Sequence, residues 1–299
     1  MPLFKVENKN PYSNILQNRF IVPPFSVLDT RQGYWLDRRR MWLQHTEDLT
    51  QTRNGDSKNG DFGRAFNIQK EGLEKRTSTR DPVFIEIMYK WFSRGDRLKI
   101  LDPFGGDQAE GFVAGVLGHI YYGSELRQEQ VDLNTEKTKD FPDVHYIQGD
   151  SCYIDENIED RDFTFLLTSP PYYNLEQYSD GKKDISAVRT YNQFMKKMET
   201  IFSKCYKMLY NDTFAVIKIG EIRNEKTGDY YGFVPDCIDM MRRMGWKYYN
   251  EIILINSVGS AGMRADGNMK SRKIVKLHQN ILVFYKGDTR YVASSFEQI

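Results

Sequence analysis

Residues 163–172 read Phe-Thr-Phe-Leu-Leu-Thr-Ser-Pro-Pro-Tyr, an apolar run that stops at two consecutive prolines. A continuous apolar run of this kind is typical of a central strand buried on both faces. Prolines donate no backbone N–H, so Pro170 and Pro171 cannot extend a sheet, and carbonyls and side chains project rigidly from the strand end. The segment therefore predicts a buried strand followed by a polar site.

Strand and helix patterns alternate around this run from residue 81 onward. Asp81-Pro82 opens a helix whose apolar residues recur at spacings of three and four. Further helices are predicted at 108–117, 190–209 and 233–244, and strands at 99–101, 121–123, 144–147, 163–167, 214–219, 252–255 and 281–285. The alternation predicts an α/β fold with a doubly wound, mostly parallel sheet of seven strands.

Composition excludes several classes of protein. The 299 residues include 42 Lys and Arg against 41 Asp and Glu, a net charge of +1, so a wholly basic histone-like protein and an acidic disordered tail are excluded. The three cysteines lie far apart and the four histidines are scattered, so we expect no disulfide framework and no metal site. Neither a signal peptide nor a membrane span is evident, which predicts a cytoplasmic protein.

Ligands in doubly wound sheets bind beyond the carboxyl ends of the strands, and polar residues follow three of the predicted strands. Gly105 and Gly106 lie in the turn Asp102-Pro103-Phe104-Gly105-Gly106 and would let the backbone approach a ligand closely. Glu125 ends the next strand, where nucleotide-binding folds carry an acid for ribose hydroxyls. Asp150 follows the third strand and could accept from an adenine amino group. Each acid taken alone could equally be an ordinary turn residue.

The second candidate site is the segment Ser169-Pro170-Pro171-Tyr172. A serine oxygen and the Pro170 carbonyl can accept both hydrogens of a planar amino group. Tyr172 can stack on the ring that carries this group. A purely structural turn is the alternative interpretation.

Asp-Pro-Phe-x-Gly followed by Ser-Pro-Pro-Tyr resembles the DNA amino-methyltransferases of the N4-cytosine and N6-adenine class, over about residues 77–290. Residues 23–29, the helix that begins at Asp81-Pro82-Val83, and residues 277–284 resemble phage and prophage DNA modification methylases. The resemblance implies a Rossmann-like fold, S-adenosylmethionine as cofactor and DNA as substrate. It implies a catalytic role for Ser169, Pro170, Pro171 and Tyr172, and cofactor binding by Thr79, Asp102, Pro103, Phe104, Gly105, Gly106, Glu125 and Asp150.

Some positions depart from the family pattern and bear on the chemistry. Asp81 stands where relatives often carry lysine, and Gly106-Asp107 stands where many carry Gly-x-Gly or Gly-Gly. Serine ahead of Pro-Pro-Tyr resembles the N4-cytosine subgroup, which is favoured here, and N6 of adenine stays open. An RNA or protein-amide methyltransferase and a catalytically silent binding protein are further alternatives.

Domain organisation is predicted as an N-terminal extension at 1–76, a catalytic domain at 77–290 with inserted recognition loops at 174–189 and 259–276, and a tail at 291–299. Basic residues in these regions are candidates for contacts to DNA phosphates: Arg38, Arg39, Arg40, Arg264, Lys270, Arg272 and Lys273. The alternatives are a solvated helix face above buried tryptophans at 33–42, and a basic loop that serves only solubility.

Overall fold

The computed structural model describes residues 20–45, 80–173, 185–224, 226–256 and 261–296. Strands β1 to β8 are Val27–Asp29, Lys99–Asp102, Ile120–Glu125, Val144–Gln148, Phe163–Thr168, Leu209–Ile219, Lys247–Ile255 and His278–Lys286. Helices α1 to α9 are Gly33–His45, Pro82–Phe92, Ala109–Val116, Gln128–Lys137, Ile154–Asn157, Tyr191–Met208, Phe233–Arg243, Ala261–Lys270 and Val292–Ser295.

These eight strands form one sheet in the order β1-β7-β8-β6-β5-β2-β3-β4. The strand β8 runs antiparallel to both of its neighbours, and the other pairings are parallel. The predicted doubly wound, mostly parallel α/β fold is therefore confirmed. Because β2 to β6 are parallel, their carboxyl ends meet at one edge of the sheet, and the amino end of antiparallel β8 reaches the same edge.

The predicted number of strands was wrong by one. The additional strand β1 pairs in parallel with β7, with Val27 opposite Ile253, and its three residues are too short to show a period of two. This strand and α1 lie within the segment 1–76 that was predicted as an extension. Residues 20–45 instead belong to the same folded unit as the sheet, because Trp35 and Trp42 of α1 are buried in its core.

Helices cover both faces of the sheet, as the alternating sequence pattern requires. One face packs against α2, whose apolar residues such as Val83 and Ile87 are fully buried. The other face packs against α6 and α7 through residues such as Phe194, Phe202 and Phe233. The strand β5 lies between β2 and β6, and its Phe165 and Leu166 are fully buried, as the apolar run predicted.

Helices α4 and α8 are among the elements that the sequence analysis did not predict. The helix α4 follows Glu125, and α8 forms most of the predicted recognition loop 259–276. Both helices have a weak apolar pattern, so periodicity did not reveal them. Among the described residues, none of the helices has the length and apolar character needed to cross a membrane.

Candidate functional site

Asp102 ends β2 and is fully buried beneath the turn that follows it. Its Oδ1 accepts a 2.5 Å hydrogen bond from Thr168 Oγ1 and a 2.9 Å bond from the Phe104 N–H. Its Oδ2 accepts from Tyr121 at 3.1 Å and from Arg80 Nη1 at 2.7 Å. The structure therefore places this predicted cofactor-binding residue under the turn, where the carboxylate stabilises the backbone that a ligand would contact.

Arg80 is a buried residue of this site that the sequence analysis did not single out. Its guanidinium forms ion pairs with Asp102 and Glu110, and Nη2 donates to the Phe104 carbonyl at 2.8 Å. Burial alone would lower the pKa of the Arg80 guanidinium, but Asp102, Tyr121 and Asp107 together outweigh burial and raise it. Arg80 lies just before Asp81, the capping residue of α2. It belongs to no apolar pattern, so the local sequence did not indicate that its side chain is buried.

Gly105 and Gly106 bring the turn against β3. The Gly105 N–H donates to the Ser124 carbonyl at 2.7 Å, and a Cβ on Gly105 would lie 3.2 Å from that oxygen. Gly106 has a φ of +53°, which favours glycine, and its carbonyl accepts from Asn134 Nδ2 at 2.8 Å. The structure thus explains these glycines by close contact with the neighbouring strand and by a positive φ, and close approach of a ligand to the turn stays a prediction.

The end of β4 is tied to the same turn. Ser151 Oγ donates to the Pro103 carbonyl at 2.5 Å, and Asp150 Oδ1 accepts from the Cys152 N–H at 2.9 Å. Phe104 packs edge-on against Phe202, with ring centroids 6.3 Å apart. The predicted residues Pro103, Phe104 and Asp150 therefore lie together at one edge of the sheet. Thr79 lies outside the described residues.

Glu125 ends β3 beside this turn and is half-buried. Burial raises the pKa of its carboxyl, and the 2.9 Å hydrogen bond from the Arg127 N–H to Oε1 offsets only part of that rise. A carboxylate that has lost part of its hydration gains from further hydrogen-bond donors. Glu125 is therefore well suited to accept from the hydroxyl groups of a ligand.

Asp81 and Asp107, the two departures from the family pattern, both accept a backbone hydrogen bond at the start of a helix, and Asp81 is the N-cap of α2. Asp81 Oδ1 accepts from the Val83 N–H at 3.0 Å, and Oδ2 accepts from Trp35 Nε1 at 3.0 Å. Asp107 Oδ1 accepts from the Ala109 N–H at 3.2 Å at the start of α3. Both acids thus satisfy the orphan N–H groups of a helix N-terminus, and Asp81 also joins α1 to α2.

Ser169 follows β5 and is half-buried, and Pro170 after it is buried. Ser169 Oγ donates a 3.1 Å hydrogen bond to the Lys218 carbonyl on β6. A hydroxyl has one hydrogen to donate and two lone pairs that accept. With its hydrogen directed to Lys218, the Ser169 oxygen can act as an acceptor toward an amino group.

Tyr172 is half-buried at the same edge, where it contacts α7 and the residue after β6. Its ring meets Phe233 edge-on with centroids 6.3 Å apart, and a Cβ on Gly220 would lie 3.3 Å from its hydroxyl. Tyr173 is buried and its hydroxyl donates to the Arg189 carbonyl at 3.2 Å. The structure thus gives the two tyrosines different surroundings, with Tyr173 in the core and Tyr172 partly open.

Two of the three consecutive arginines of α1 pair with carboxylates of the neighbouring helix segment. Arg38 forms an ion pair with Glu86, and Arg39 forms one with Asp81. Arg40 is 71% exposed and pairs with Asp37 at 2.6 Å. The ion pairs of Arg38 and Arg39, together with the buried tryptophans, agree with the alternative interpretation of this helix, and phosphate contact by these residues stays a prediction.

The basic residues of the loop 259–276 lie between β7 and β8, above the edge of the sheet that carries Ser169 and Tyr172. Lys270 and Arg272 are exposed, and Arg264 and Lys273 are half-buried. Lys276 lies closer to the site, with Nζ 3.7 Å from the position of a Cβ on Gly220. In the described part of the chain, no group of three or more histidines, cysteines and acids could hold a metal ion.

Residues 163–298 match a family model for DNA methylases of the N6/N4 type. This segment, less than half of the chain, is similar to that family. The matched segment begins at β5 and includes Ser169 to Tyr172, whereas the glycine turn after β2 precedes it. This match agrees with the predicted class, an S-adenosylmethionine-dependent DNA amino-methyltransferase; the similarity to phage enzymes stays a prediction.

No curated protein matches the chain. Among solved structures, TrmN from Thermus thermophilus is similar at 12% identity and a TM-score of 0.44, covering 69% of this chain and 49% of TrmN. A TehB-like methyltransferase from Corynebacterium glutamicum has 18% identity and a TM-score of 0.41, covering 84% and 99%. A further Thermus thermophilus protein, provisionally assigned as a DNA modification methylase and complexed with S-adenosylmethionine, has 17% identity and a TM-score of 0.35, covering 47% and 54%. Similarities this low leave the substrate to be argued from the site.

Proposed function

We propose that this protein transfers a methyl group from S-adenosylmethionine to N4 of cytosine in DNA, at a specific site. The observation that carries the proposal is the hydrogen bond from Ser169 Oγ to the Lys218 carbonyl, 3.1 Å long, next to the buried Pro170. This bond directs the serine lone pairs away from β6, so that Oγ and the Pro170 carbonyl are two acceptors for the two hydrogens of an exocyclic amino group.

The residues at the carboxyl edge of β2 to β4 fit the cofactor. A side chain at Gly105 would meet the Ser124 carbonyl, so glycine holds the turn tightly against β3 at this edge. Glu125 can accept from ribose hydroxyls, and Asp150 lies at the end of the adjacent strand. When bound, S-adenosylmethionine supplies a methyl group activated by its sulfonium.

Residues of this chain would hold the amino group and the base. An exocyclic amino nitrogen is a weak nucleophile because its lone pair is delocalised into the ring, and hydrogen bonds to its hydrogens oppose that delocalisation. Ser169 and the Pro170 carbonyl make these bonds, and they strengthen as positive charge develops on nitrogen. Tyr172 stacks on the base, which must leave the duplex to reach the site. Lys270 and Arg272, exposed near this edge, would contact DNA phosphates.

Adenine N6 is the second candidate for the methylated atom. Its amino group offers the same two hydrogens to Ser169 and Pro170, so the local geometry accepts either base. The serine in place of an acid or amide favours cytosine through the resemblance to the N4 subgroup. RNA and protein amides present the same planar amino group, and transfer to either of them would replace DNA as the substrate.

Mass spectrometry of nucleosides tests the proposal. Purified protein is incubated with DNA and S-adenosylmethionine, and Ser169→Ala is compared with Ser294→Ala, which alters an exposed serine of α9. We expect N4-methylcytosine from the wild type and from Ser294→Ala, and turnover lower by about 10- to 1000-fold in Ser169→Ala with cofactor affinity retained.

The other outcomes each contradict a defined part of the proposal. N6-methyladenine would overturn the choice of base and keep the mechanism. Transfer only to RNA or protein would overturn DNA as the substrate. Cofactor binding without any transfer would identify a silent binding protein, and equal activity of Ser169→Ala would remove this serine from the mechanism.

A further inference from the structure

Gln279 is a buried amide at the amino end of β8, with 6% of its surface exposed. Its Nε2 donates a 3.3 Å hydrogen bond to the hydroxyl of Tyr172, which is 107 positions away in the sequence. A buried polar side chain costs free energy unless it is hydrogen-bonded, so this amide must be satisfied by its neighbours. Tyr172 is one of those neighbours.

A second amide fixes the orientation of the first. Asn256 Nδ2 donates to Gln279 Oε1 at 3.2 Å, which leaves Gln279 Nε2 directed toward Tyr172. Asn256 is itself anchored, since its N–H donates to the Leu277 carbonyl at 2.9 Å. Gln279 stands opposite Leu254 in the pairing of β7 with β8, so the two amides are attached to adjacent strands of the sheet.

Gly220, the residue after β6, also lies beside the Tyr172 hydroxyl. A Cβ at Gly220 would lie 3.3 Å from that oxygen, closer than most real contacts, so glycine leaves the room that the hydroxyl occupies. The ring also makes an edge contact with Phe233, with centroids 6.3 Å apart. These contacts together restrict rotation of a side chain whose segment contains two prolines and lies beyond Thr168, the last residue of β5.

We propose that Gln279 is a positioning residue that holds the Tyr172 ring in the orientation needed to stack on the target base. The proposal rests on the proposed function, because it assigns a supporting contact of that same base site. Gln279 makes its contact through Tyr172 and acts on the base only by way of the ring. Preorganised stacking lowers the ordering cost on base binding, so its loss reduces transfer without changing the cofactor site.

The test is a double-mutant cycle with Gln279→Met, which keeps length and removes the amide, and Tyr172→Phe, which keeps the ring and removes the hydroxyl. Each single variant should lower kcat/KM for DNA by about 3- to 10-fold, the effect of losing one ordinary hydrogen bond. The double variant should be no worse than the poorer single variant, because both changes remove the same contact. Affinity for S-adenosylmethionine should be unchanged throughout.

Two further variants separate positioning from general damage. Gln279→Glu retains an oxygen that can accept from the Tyr172 O–H, so it should recover much of the activity lost in Gln279→Met. Thr213→Val alters a buried residue at the opposite end of the same sheet and should leave kcat/KM unchanged. Losses that multiply in the double variant, or a Gln279→Glu variant as poor as Gln279→Met, would overturn the proposal.

A readout that needs no activity keeps this inference separate from the proposed function. In ¹³C NMR of ring-labelled tyrosine, the Tyr172 signal is the one that disappears in Tyr172→Phe, and we expect it to shift or broaden in Gln279→Met. An unchanged signal would show that Gln279 does not hold the ring, whatever the enzyme methylates. If wild-type protein transfers no methyl group at all, the proposed function fails, and the base-stacking role fails with it even if the signal shifts.

Discussion

Thr168 and Asp102 join the two halves of the candidate site through a 2.5 Å hydrogen bond from Oγ1 to Oδ1. Thr168 is the last residue of β5, directly before Ser169, and Asp102 is the last residue of β2, directly before the glycine turn. This side-chain contact, together with the backbone pairing of β2 and β5, holds the proposed base-binding segment beside the proposed cofactor turn.

Thr168→Val should lower both stability and cofactor affinity. The change leaves the buried Asp102 carboxylate one donor short, which costs about 1.5–3 kcal/mol of the free energy of unfolding. Thr164→Val is the control, because Thr164 Oγ1 accepts from the Lys99 N–H at the far end of the same strand. Urea denaturation should show a loss in both variants, and calorimetric titration should show weaker S-adenosylmethionine binding in Thr168→Val alone. Unchanged affinity in Thr168→Val would contradict the role assigned to the contact.

Arg80→Met should be strongly destabilising. It leaves Asp102 and Glu110 as uncompensated buried charges, which costs about 3–5 kcal/mol. Adding Glu110→Gln should restore part of the loss, since one of the two charges is then removed. Arg97→Met removes an exposed ion pair with Asp143 and should cost at most about 1 kcal/mol. If Arg80→Met and Arg97→Met unfold at the same urea concentration, the ion pairs of Arg80 with Asp102 and Glu110 do not stabilise the fold.

Gly105→Ala should distort the cofactor turn. The new methyl would lie 3.2 Å from the Ser124 carbonyl and 3.3 Å from the Gly123 Cα, both backbone atoms that cannot move independently. Overpacking of this kind costs about 1–3 kcal/mol. Gly33→Ala is the matched control, because nothing lies within 4 Å of a Cβ at that position. Cofactor affinity measured by titration should fall only in Gly105→Ala, and a wild-type affinity there would refute the close-packing argument.

Cofactor affinity should decrease at acidic pH because of Glu125. Burial raises the pKa of this carboxyl, so the folded state binds the proton more tightly than the unfolded chain does, and the carboxylate is lost as pH falls through the raised pKa. An ionised carboxylate accepts from ribose hydroxyls and a protonated one accepts less well. The fall in affinity should therefore begin above the pH expected for an ordinary glutamate.

Glu125→Gln should weaken binding at neutral pH and remove this part of the pH dependence. Glu136→Gln, on the exposed side of α4, should keep the wild-type profile. The measurement is the dissociation constant of S-adenosylmethionine over the acidic to neutral range. A Glu125→Gln profile parallel to the wild type would exclude Glu125 as the titrating group.

The seven predicted strands and the helix after Asp81 could be read from the sequence because each depends on local periodicity or on a local cap. The apolar run at 163–167 predicted a buried strand, and Asp81-Pro82 predicted the start of α2. Strand β1 was not predicted, because a strand of three residues is too short to show an alternation of apolar and polar side chains. Its place in the sheet depends on pairing with β7.

The site residues likewise fall into two groups, those whose positions could be predicted from the sequence and those whose contacts only the structure shows. The positions of Ser169, Tyr172, Gly105 and Glu125 after strands followed from the rule that ligands bind at the carboxyl edge of a parallel sheet. The contacts of Arg80, Lys218 and Gln279 could not be predicted in this way, because each residue bonds to a partner 22 or more positions away in the sequence.

The sequence by itself determined the α/β class and the order of the motifs, and it predicted amino-binding chemistry for Ser-Pro-Pro-Tyr, because these depend on residue type and short spacing. Tertiary structure decided that Asp102 is a buried anchor, that Arg38 and Arg39 are paired with carboxylates, and that Gln279 touches Tyr172. The physical reason is that hydrogen bonds and ion pairs form between atoms close in space, and only the packing of the sheet sets which distant residues become neighbours.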